Sequence, residues 1–157
     1  MKDIEFREMG LRLMEGTQAA YLTNVDEEGF PQTRAMFNFR NKEKWPRLGP
    51  LFVDHDNDFM IIFSTNTTST KVEQMKENPK VSVYYCQPEE WKGMMLSGAI
   101  EIVSDLSLKK SLWHDGWEKY YPKGYHDPNH TVLRLFPTAA KGWSQTRTFQ
   151  FKIEATK

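Results

Sequence analysis

Lys71 and Arg34 occupy the settings that point most directly to chemistry, and the chemistry is the gripping of an anion. Lys71 lies in Phe59 to Pro79, FMIIFSTNTTSTKVEQMKENP. There the apolar run Phe59-Met60-Ile61-Ile62-Phe63 gives way to the turn and cap formers Ser64, Thr65, Asn66, Thr67 and Thr68. The pattern predicts a strand stopping near Ser64 and a helix capped by Thr68 or Ser69. Glu73 and Gln74 lie near capping-box distance, and Asn78-Pro79 closes the helix after roughly two to three turns. A helix start offers unpaired N–H groups and a positive dipole end. Hydroxyls and one ammonium complete the donor set that a phosphate monoester requires. An ordinary Ser/Thr cap beside an exposed lysine fits this segment equally well.

Arg34 sits in Gly29-Phe30-Pro31-Gln32-Thr33-Arg34-Ala35-Met36-Phe37-Asn38, after the strand-like Ala19 to Val25 and the turn Asp26-Glu27-Glu28-Gly29. The two runs read as a hairpin. In its second strand Arg34, Met36 and Asn38 share one face and Ala35, Phe37 and Phe39 the other, so Arg34 stands among residues that line a cavity or an interface. An arginine there calls for an anion; an edge-strand arginine reaching solvent or an acidic neighbour is the plainer reading of the residue alone.

In order and spacing these segments resemble the split-barrel flavin-binding family of pyridoxamine 5'-phosphate oxidase, and more closely its short branch of general stress proteins. The resemblance runs through most of the chain. It rests on the leading helix ending in Leu13-Met14-Glu15-Gly16 and the hairpin from Ala20-Tyr21-Leu22-Thr23 to Gly29-Phe30-Pro31. It continues through Arg34-Ala35-Met36, Phe63-Ser64-Thr65-Asn66, Ser69-Thr70-Lys71 and Asn78-Pro79-Lys80-Val81-Ser82-Val83. It implies a mainly β (α+β) fold, an antiparallel six-stranded split β-barrel with flanking helices, formed by residues 1–157 as one FMN-binding domain. It further implies that Arg34, Ser69 and Lys71 hold the FMN phosphate, and that Ser64 and Thr65 lie along the ribityl chain and ring, with Ala35 and Met36 beside them. The family binds FMN between two subunits, so a homodimer is implied, with Trp143 either a wall contributed by the partner chain or a core residue of the last sheet.

The chain also departs from the oxidase. The Arg-Gln pair that opens one strand of the oxidase is replaced by Trp91-Lys92-Gly93-Met94-Met95-Leu96-Ser97-Gly98, and Thr146-Arg147-Thr148-Phe149-Gln150-Phe151 lacks the distal histidine. Vitamin oxidation is therefore not the expected reaction. No side chain presents itself as a general acid or base, so no catalytic residue is assigned; Met94 and Met95 read as core filler.

The elements that must position these residues can be traced without a linker or repeat. A first helix spans about Asp3 to Glu15, ended by Gly16. Arg40 to Asp58 is a polar, Pro-interrupted connection, with a short strand at Leu51-Phe52-Val53. Strands follow at Val81 to Cys86 and Met94 to Val103. Asp105 caps a helix from Leu106 to about Tyr120, and strands near Thr131 to Phe136, Lys141 to Ser144 and Phe149 to Ile153 complete an antiparallel set. Short strands with few long helices indicate a small barrel.

Composition narrows the function classes. A chain of 157 residues suits one domain. Lysine plus arginine number 21 against 21 acids, which argues against a nucleic-acid partner. No apolar run approaches the roughly 20 residues of a membrane span. The single Cys86 precludes an internal disulfide and, with the opening Met1-Lys2-Asp3-Ile4-Glu5, points to a reducing, cytoplasmic setting in which Asn66-Thr67-Thr68 is no sequon. Late aromatics at Trp113, Trp117, Tyr120, Tyr121, Tyr125 and Trp143 suit a core or an interface.

No metal site is expected. Asp54-His55-Asp56-Asn57-Asp58 lacks the glycine and glutamate of a calcium loop and reads as a solvated loop, Pro128 separates His126 from His130, and His114 reads as a surface or interface histidine. The leading expectation is an FMN-dependent oxidoreductase acting on a small-molecule redox substrate. The alternatives are a flavin-binding stress protein without turnover, as redox sensor or FMN reservoir, and a split barrel that binds haem or a deazaflavin.

Overall fold

The computed structural model describes residues 3–154. Its elements run α1 (Asp3–Gly16), β1 (Ala19–Val25), β2 (Pro31–Phe37), β3 (Ile61–Asn66), α2 (Thr70–Glu77), β4 (Lys80–Gln87), β5 (Lys92–Val103), α3 (Leu106–Leu112), β6 (His130–Leu135), β7 (Ala139–Ser144) and β8 (Arg147–Lys152), with 3-10 turns between some of them.

The β1–β2 hairpin forms where the turn chemistry demands it. Gly29 adopts φ 89, which a β-carbon would disfavour. The Asp26 carboxylate accepts from the Glu28 and Phe30 amides and from Gln32 Nε2. These bonds hold the Asp26 carboxyl below its ordinary pKa. The resulting register sets Leu22 opposite Arg34 and Ala20 opposite Met36.

Six strands follow one antiparallel path, β2-β1-β4-β5-β6-β3, and curl into a half-barrel; the β7–β8 hairpin joins it at β5. The long β5 changes neighbour along its length. Residues Lys92 to Ser97 pair with β7, and Ile100 to Val103 pair with β6. Gly98 lies at the change-over, where a β-carbon would come within 3.1 Å of Leu135, Phe136 and Pro137. The path ends on β2 at one side and β3 at the other, which pair only with β1 and β6 among the described residues. The barrel is thus split between two sheet edges.

Two apolar cores flank this split. The first is built on α1, β1, β4, β5 and β8, with Met14, Leu22, Val83, Tyr85 and Leu96 fully enclosed. The second gathers Phe39, Leu48, Ile62, Leu112, Trp117, Tyr121 and Val132. Asn38 ties the hairpin to α1: its Nδ2 donates to the Met14 and Thr17 carbonyls, which the helix end leaves free. No helix among the described residues is long and apolar enough to cross a membrane.

Several expected boundaries shift. The strand read over Phe59 to Phe63 starts at Ile61 and continues to Asn66, because β6 supplies partners from Leu135 back to His130; Phe59 itself has φ 57. Leu51-Phe52-Val53 forms no strand. Pro46 starts a 3-10 turn over Pro46–Leu51 that buries Leu48. The helix from Leu106 is capped by Asp105 as read, with the Ser107 amide donating to its carboxylate, but it ends at Leu112 rather than near Tyr120. Arg47 donates to the Ser111 and Trp113 carbonyls, and Gly116 turns the chain at φ 94. The acidic loop is not uniformly solvated either. Asp58 is buried, accepting from the Met60 amide and pairing with His55.

Strand β7 approaches β5 most closely at Gly142, where a β-carbon would stand 2.1 Å from the Gly93 carbonyl oxygen and 2.9 Å from Met94 Cα. Neither is a flexible side-chain end that can turn away. Gly142→Ala should cost about 1–3 kcal/mol, the range of overpacked cores. The check is the urea midpoint of the variant; an unchanged midpoint would contradict this approach.

Candidate functional site

The split between β2 and β3 is a cleft of about 510 Å³. Ala35, Met36 and Phe37 line it from β2, and Ser64, Thr65 and Asn66 from β3. Both are edge strands, so backbone N–H and C=O groups that a sheet interior would consume remain available to a bound molecule. Trp117, Tyr120 and Tyr121 close a third side, and Gln18, Ala19 and Lys44 reach it as well. The lining contains no carboxylate, histidine or cysteine.

Two cations outside the lining connect to the cleft: Arg34 adjoins Ala35 on β2, and Lys71 bonds Thr65 of β3. Arg34 and Met36 occupy the half-buried face of β2, as its alternation predicts, while Ala35 and Phe37 are exposed. The Arg34 guanidinium donates from Nη1 to the Leu22 carbonyl of its register partner at 3.2 Å. Burial pushes the Arg34 pKa down. Lys71 Nζ donates to Thr65 Oγ1 at 3.1 Å, which leaves the Thr65 hydroxyl proton free to donate elsewhere. Its pKa is lowered by burial first and by the charge of Arg34 second, so the two cations feel one another. Neither makes an ion pair with a carboxylate among the described residues.

Ser69 lies two residues before Lys71. It is the N-cap of α2, in extended conformation, but its hydroxyl does not cap the helix. Ser69 Oγ is buried and has no hydrogen-bond partner. A buried hydroxyl without a partner costs on the order of 1–3 kcal/mol, and the first amides of α2 likewise lack intrahelical acceptors. Two neighbouring cations, a buried hydroxyl and a helix start together form a donor set for a multiply charged oxyanion.

The seven residues singled out from the sequence thus fall into two linked groups. Ala35, Met36, Ser64 and Thr65 line the cleft; Arg34, Ser69 and Lys71 do not, and of these Lys71 is tied to it by the bond to Thr65. Trp143 lines no part of this cleft and is not a core residue. It lies on β7, about a third exposed, stacked on Tyr84 with ring centres 5.4 Å apart.

Sequence reasoning missed the aromatic wall and what lies behind it. His130, considered only as a metal ligand, is fully buried and bonds Ser64 Oγ and the Tyr125 carbonyl. Among the described residues no group of three or more His, Cys, Asp or Glu could hold a metal. Asn24 is also enclosed, with Nδ2 donating to Gln74 of α2 and Oδ1 unpartnered. Asn24 follows the inward alternation of Ala20 and Leu22, which was the available signal.

Residues 15–157 match the family model described as "Pyridoxamine 5'-phosphate oxidase like". The chain belongs to the pyridoxamine 5'-phosphate oxidase-like family. It is similar to a solved structure from Clostridium acetobutylicum, a protein related to general stress protein 26 of B. subtilis (pyridoxinephosphate oxidase family). The two are 32% identical over 97% of each chain, with a TM-score of 0.76. Two more distant solved structures share the fold. A pyridoxamine 5'-phosphate oxidase-related, FMN binding protein from Nostoc punctiforme PCC 73102 is 15% identical, over 97% of this chain and 95% of that one, with a TM-score of 0.60. A heme binding protein from Mycobacterium smegmatis is 12% identical, over 93% and 57%, with a TM-score of 0.65. None of the curated proteins matches the chain.

For this family member the uncompensated cations have a consequence for stability. A lysine whose folded pKa lies below its unfolded one binds fewer protons folded than unfolded between the two values. The free protein therefore gains stability as pH rises through the folded pKa, and the gain is complete above about 10.4, the unfolded value. Lys71→Met should raise the stability of the ligand-free protein by roughly 0.5 kcal/mol at neutral pH, the scale of a partly screened charge interaction. Thermal unfolding without added anion measures this; a lowered midpoint would mean that Lys71 is satisfied where it stands.

Proposed function

We propose that the chain is an FMN-dependent oxidoreductase acting on a small-molecule redox substrate, in which Arg34, Ser69 and Lys71 hold the FMN phosphate. Ala35, Met36, Ser64 and Thr65 then lie along its ribityl chain and ring. One observation carries the reading: two half-buried cations close enough for Arg34 to lower the Lys71 pKa, with no carboxylate paired to either among the described residues, and a buried hydroxyl without a partner at the N-cap, two residues before Lys71. A phosphate dianion supplies the charge for the first and the acceptor for the second. The N. punctiforme relative, an FMN binding protein, supports the same cofactor class.

The chain's own part is binding and orientation. Arginine grips a phosphate through parallel N–H bonds, lysine adds a point charge, and the free edges of β2 and β3 offer backbone groups to the rim of a planar ring. Bound FMN would supply the exchange of electrons, for which the protein need provide only position and a pocket. The reading extends to a homodimer with FMN at the subunit interface. The exposed Phe30, Phe37 and Trp91 are aromatic surface suited to a second subunit.

A second role, flavin binding without turnover as a stress-response sensor or reservoir, is favoured by one feature. The cleft lining offers no carboxylate, histidine or cysteine as a proton donor or acceptor. Haem is favoured less, since both ring nitrogens of His130 are engaged. The visible spectrum of the purified protein with FMN added separates flavin from haem. Reduction by NADH or NADPH and reoxidation by a panel of small acceptors separates turnover from binding.

Arg34→Ala combined with Lys71→Ala should release the flavin from a protein that stays folded. At roughly 1.5–3 kcal/mol for each charged contact, affinity should fall on the order of a hundredfold or more. Flavin content after gel filtration and circular dichroism are the measurements. A double variant that retains a full complement of FMN would overturn the phosphate assignment.

A further inference from the structure

We propose that His130 is a positioning residue that holds the Ser64 hydroxyl as a hydrogen-bond acceptor toward the cleft, so that this point selects a bound group donating an N–H or O–H. The inference rests on the flavin reading above, because FMN carries both kinds of donor and is its probe.

The orientation follows from what each atom can do. His130 opens β6 opposite Asn66 of β3, and its side chain is fully buried. Nδ1 lies 2.9 Å from the Tyr125 carbonyl, an acceptor only, so Nδ1 carries the hydrogen. In the neutral ring Nε2 is then a lone pair. Ser64 Oγ stands 3.1 Å from it and must donate its single proton there. The remaining lone pairs of Ser64 belong to the cleft that Ser64 lines. Without His130 a serine hydroxyl rotates freely and shows either polarity; with it, the hydroxyl shows one.

The surroundings keep the ring neutral. Tyr121 packs on it with ring centres 4.7 Å apart, and Trp113 and Trp117 meet it edge-on at 6.1 and 6.2 Å. Lys109 from α3 and Asp127 from the segment before β6 are the charged groups that act on it, in opposite senses. Burial, with Lys109 acting in the same sense, outweighs the Tyr125 hydrogen bond and Asp127 and sets its pKa below the ordinary histidine value. Protonation at lower pH would turn Nε2 into a donor. Ser64 would then accept from it and turn its proton to the cleft, and the selected polarity would invert.

The test is FMN affinity, by quenching of flavin fluorescence, for the wild type, Ser64→Ala, His130→Phe and the double variant from about pH 8 to about pH 4.5. Near neutrality Ser64→Ala should bind about threefold to tenfold more weakly, the worth of one hydrogen bond. The double variant should be no weaker than the weaker single one, since the two residues act as a unit. Protonation of the FMN phosphate affects all proteins alike, so the ratio of Ser64→Ala to wild type isolates His130. That ratio should hold above the His130 pKa and fall toward one where the pH drops through it. A ratio near one at neutrality, or additive losses in the double variant, would overturn the proposal. Should His130→Phe not fold, the Ser64→Ala ratio decides alone. A wild type that ignores FMN altogether would overturn the flavin reading itself and this inference with it, an outcome distinct from tight FMN binding that is indifferent to Ser64.

Discussion

Two positive side chains held close together in partly dry surroundings form the constraint around which the rest of this fold is arranged. Arg34 and Lys71 come from separate elements, one from an edge strand and the other from the first turn of a helix. Like charges so placed repel, and burial weakens the hydration that would otherwise compensate. Their proximity is enforced by bonds that do not involve charge pairing. The hairpin register anchors Arg34 against Leu22, Thr65 accepts from Lys71, and Asn24 of β1 donates to Gln74 of α2. The scaffold stores a modest electrostatic cost that an oxyanion would relieve, the usual trade between stability and function at binding sites.

The same logic explains why the barrel is open. A closed barrel would spend the edges of β2 and β3 on each other. Here each edge keeps one side free, and the aromatic segment after α3 covers the gap between them with Trp117, Tyr120 and Tyr121. That segment turns because Arg47 takes the carbonyls at the end of α3 and Gly116 reverses the chain. Its inner side packs on the second core, so the wall of the cleft is as firmly founded as the floor. Membership in the pyridoxamine 5'-phosphate oxidase-like family accounts for the architecture.

Local chemistry was legible and distant pairing was not. The β1–β2 hairpin was readable except at its far end, where β2 stops at Phe37 short of Asn38 and Phe39, since Asp26 and Gly29 dictate the turn and simple alternation dictates the faces. The start and end of α2 were readable for similar reasons, as was the capping of α3 by Asp105. The limits of β3 were hidden because β6, nearly seventy residues on, determines them. The premature end of α3 was hidden because Arg47 causes it from another part of the chain. Within the cleft, Arg34 and Lys71 could be singled out by residue type and by resemblance. His130 could not, because its meaning lies in the register that brings it behind Ser64.

The pairing order of β3 bears on how this molecule is made. Along the sheet path β3 has one neighbour, β6, and the pairing joins Ile61 to Leu135. The partners β4 and β5, by contrast, meet across a short turn and can zip as soon as both are synthesised. A growing chain therefore completes one shore of its cleft early and leaves the other without its partner until β6 has emerged. Any ligand lodged between those shores finds its site complete only once β6 has paired with β3.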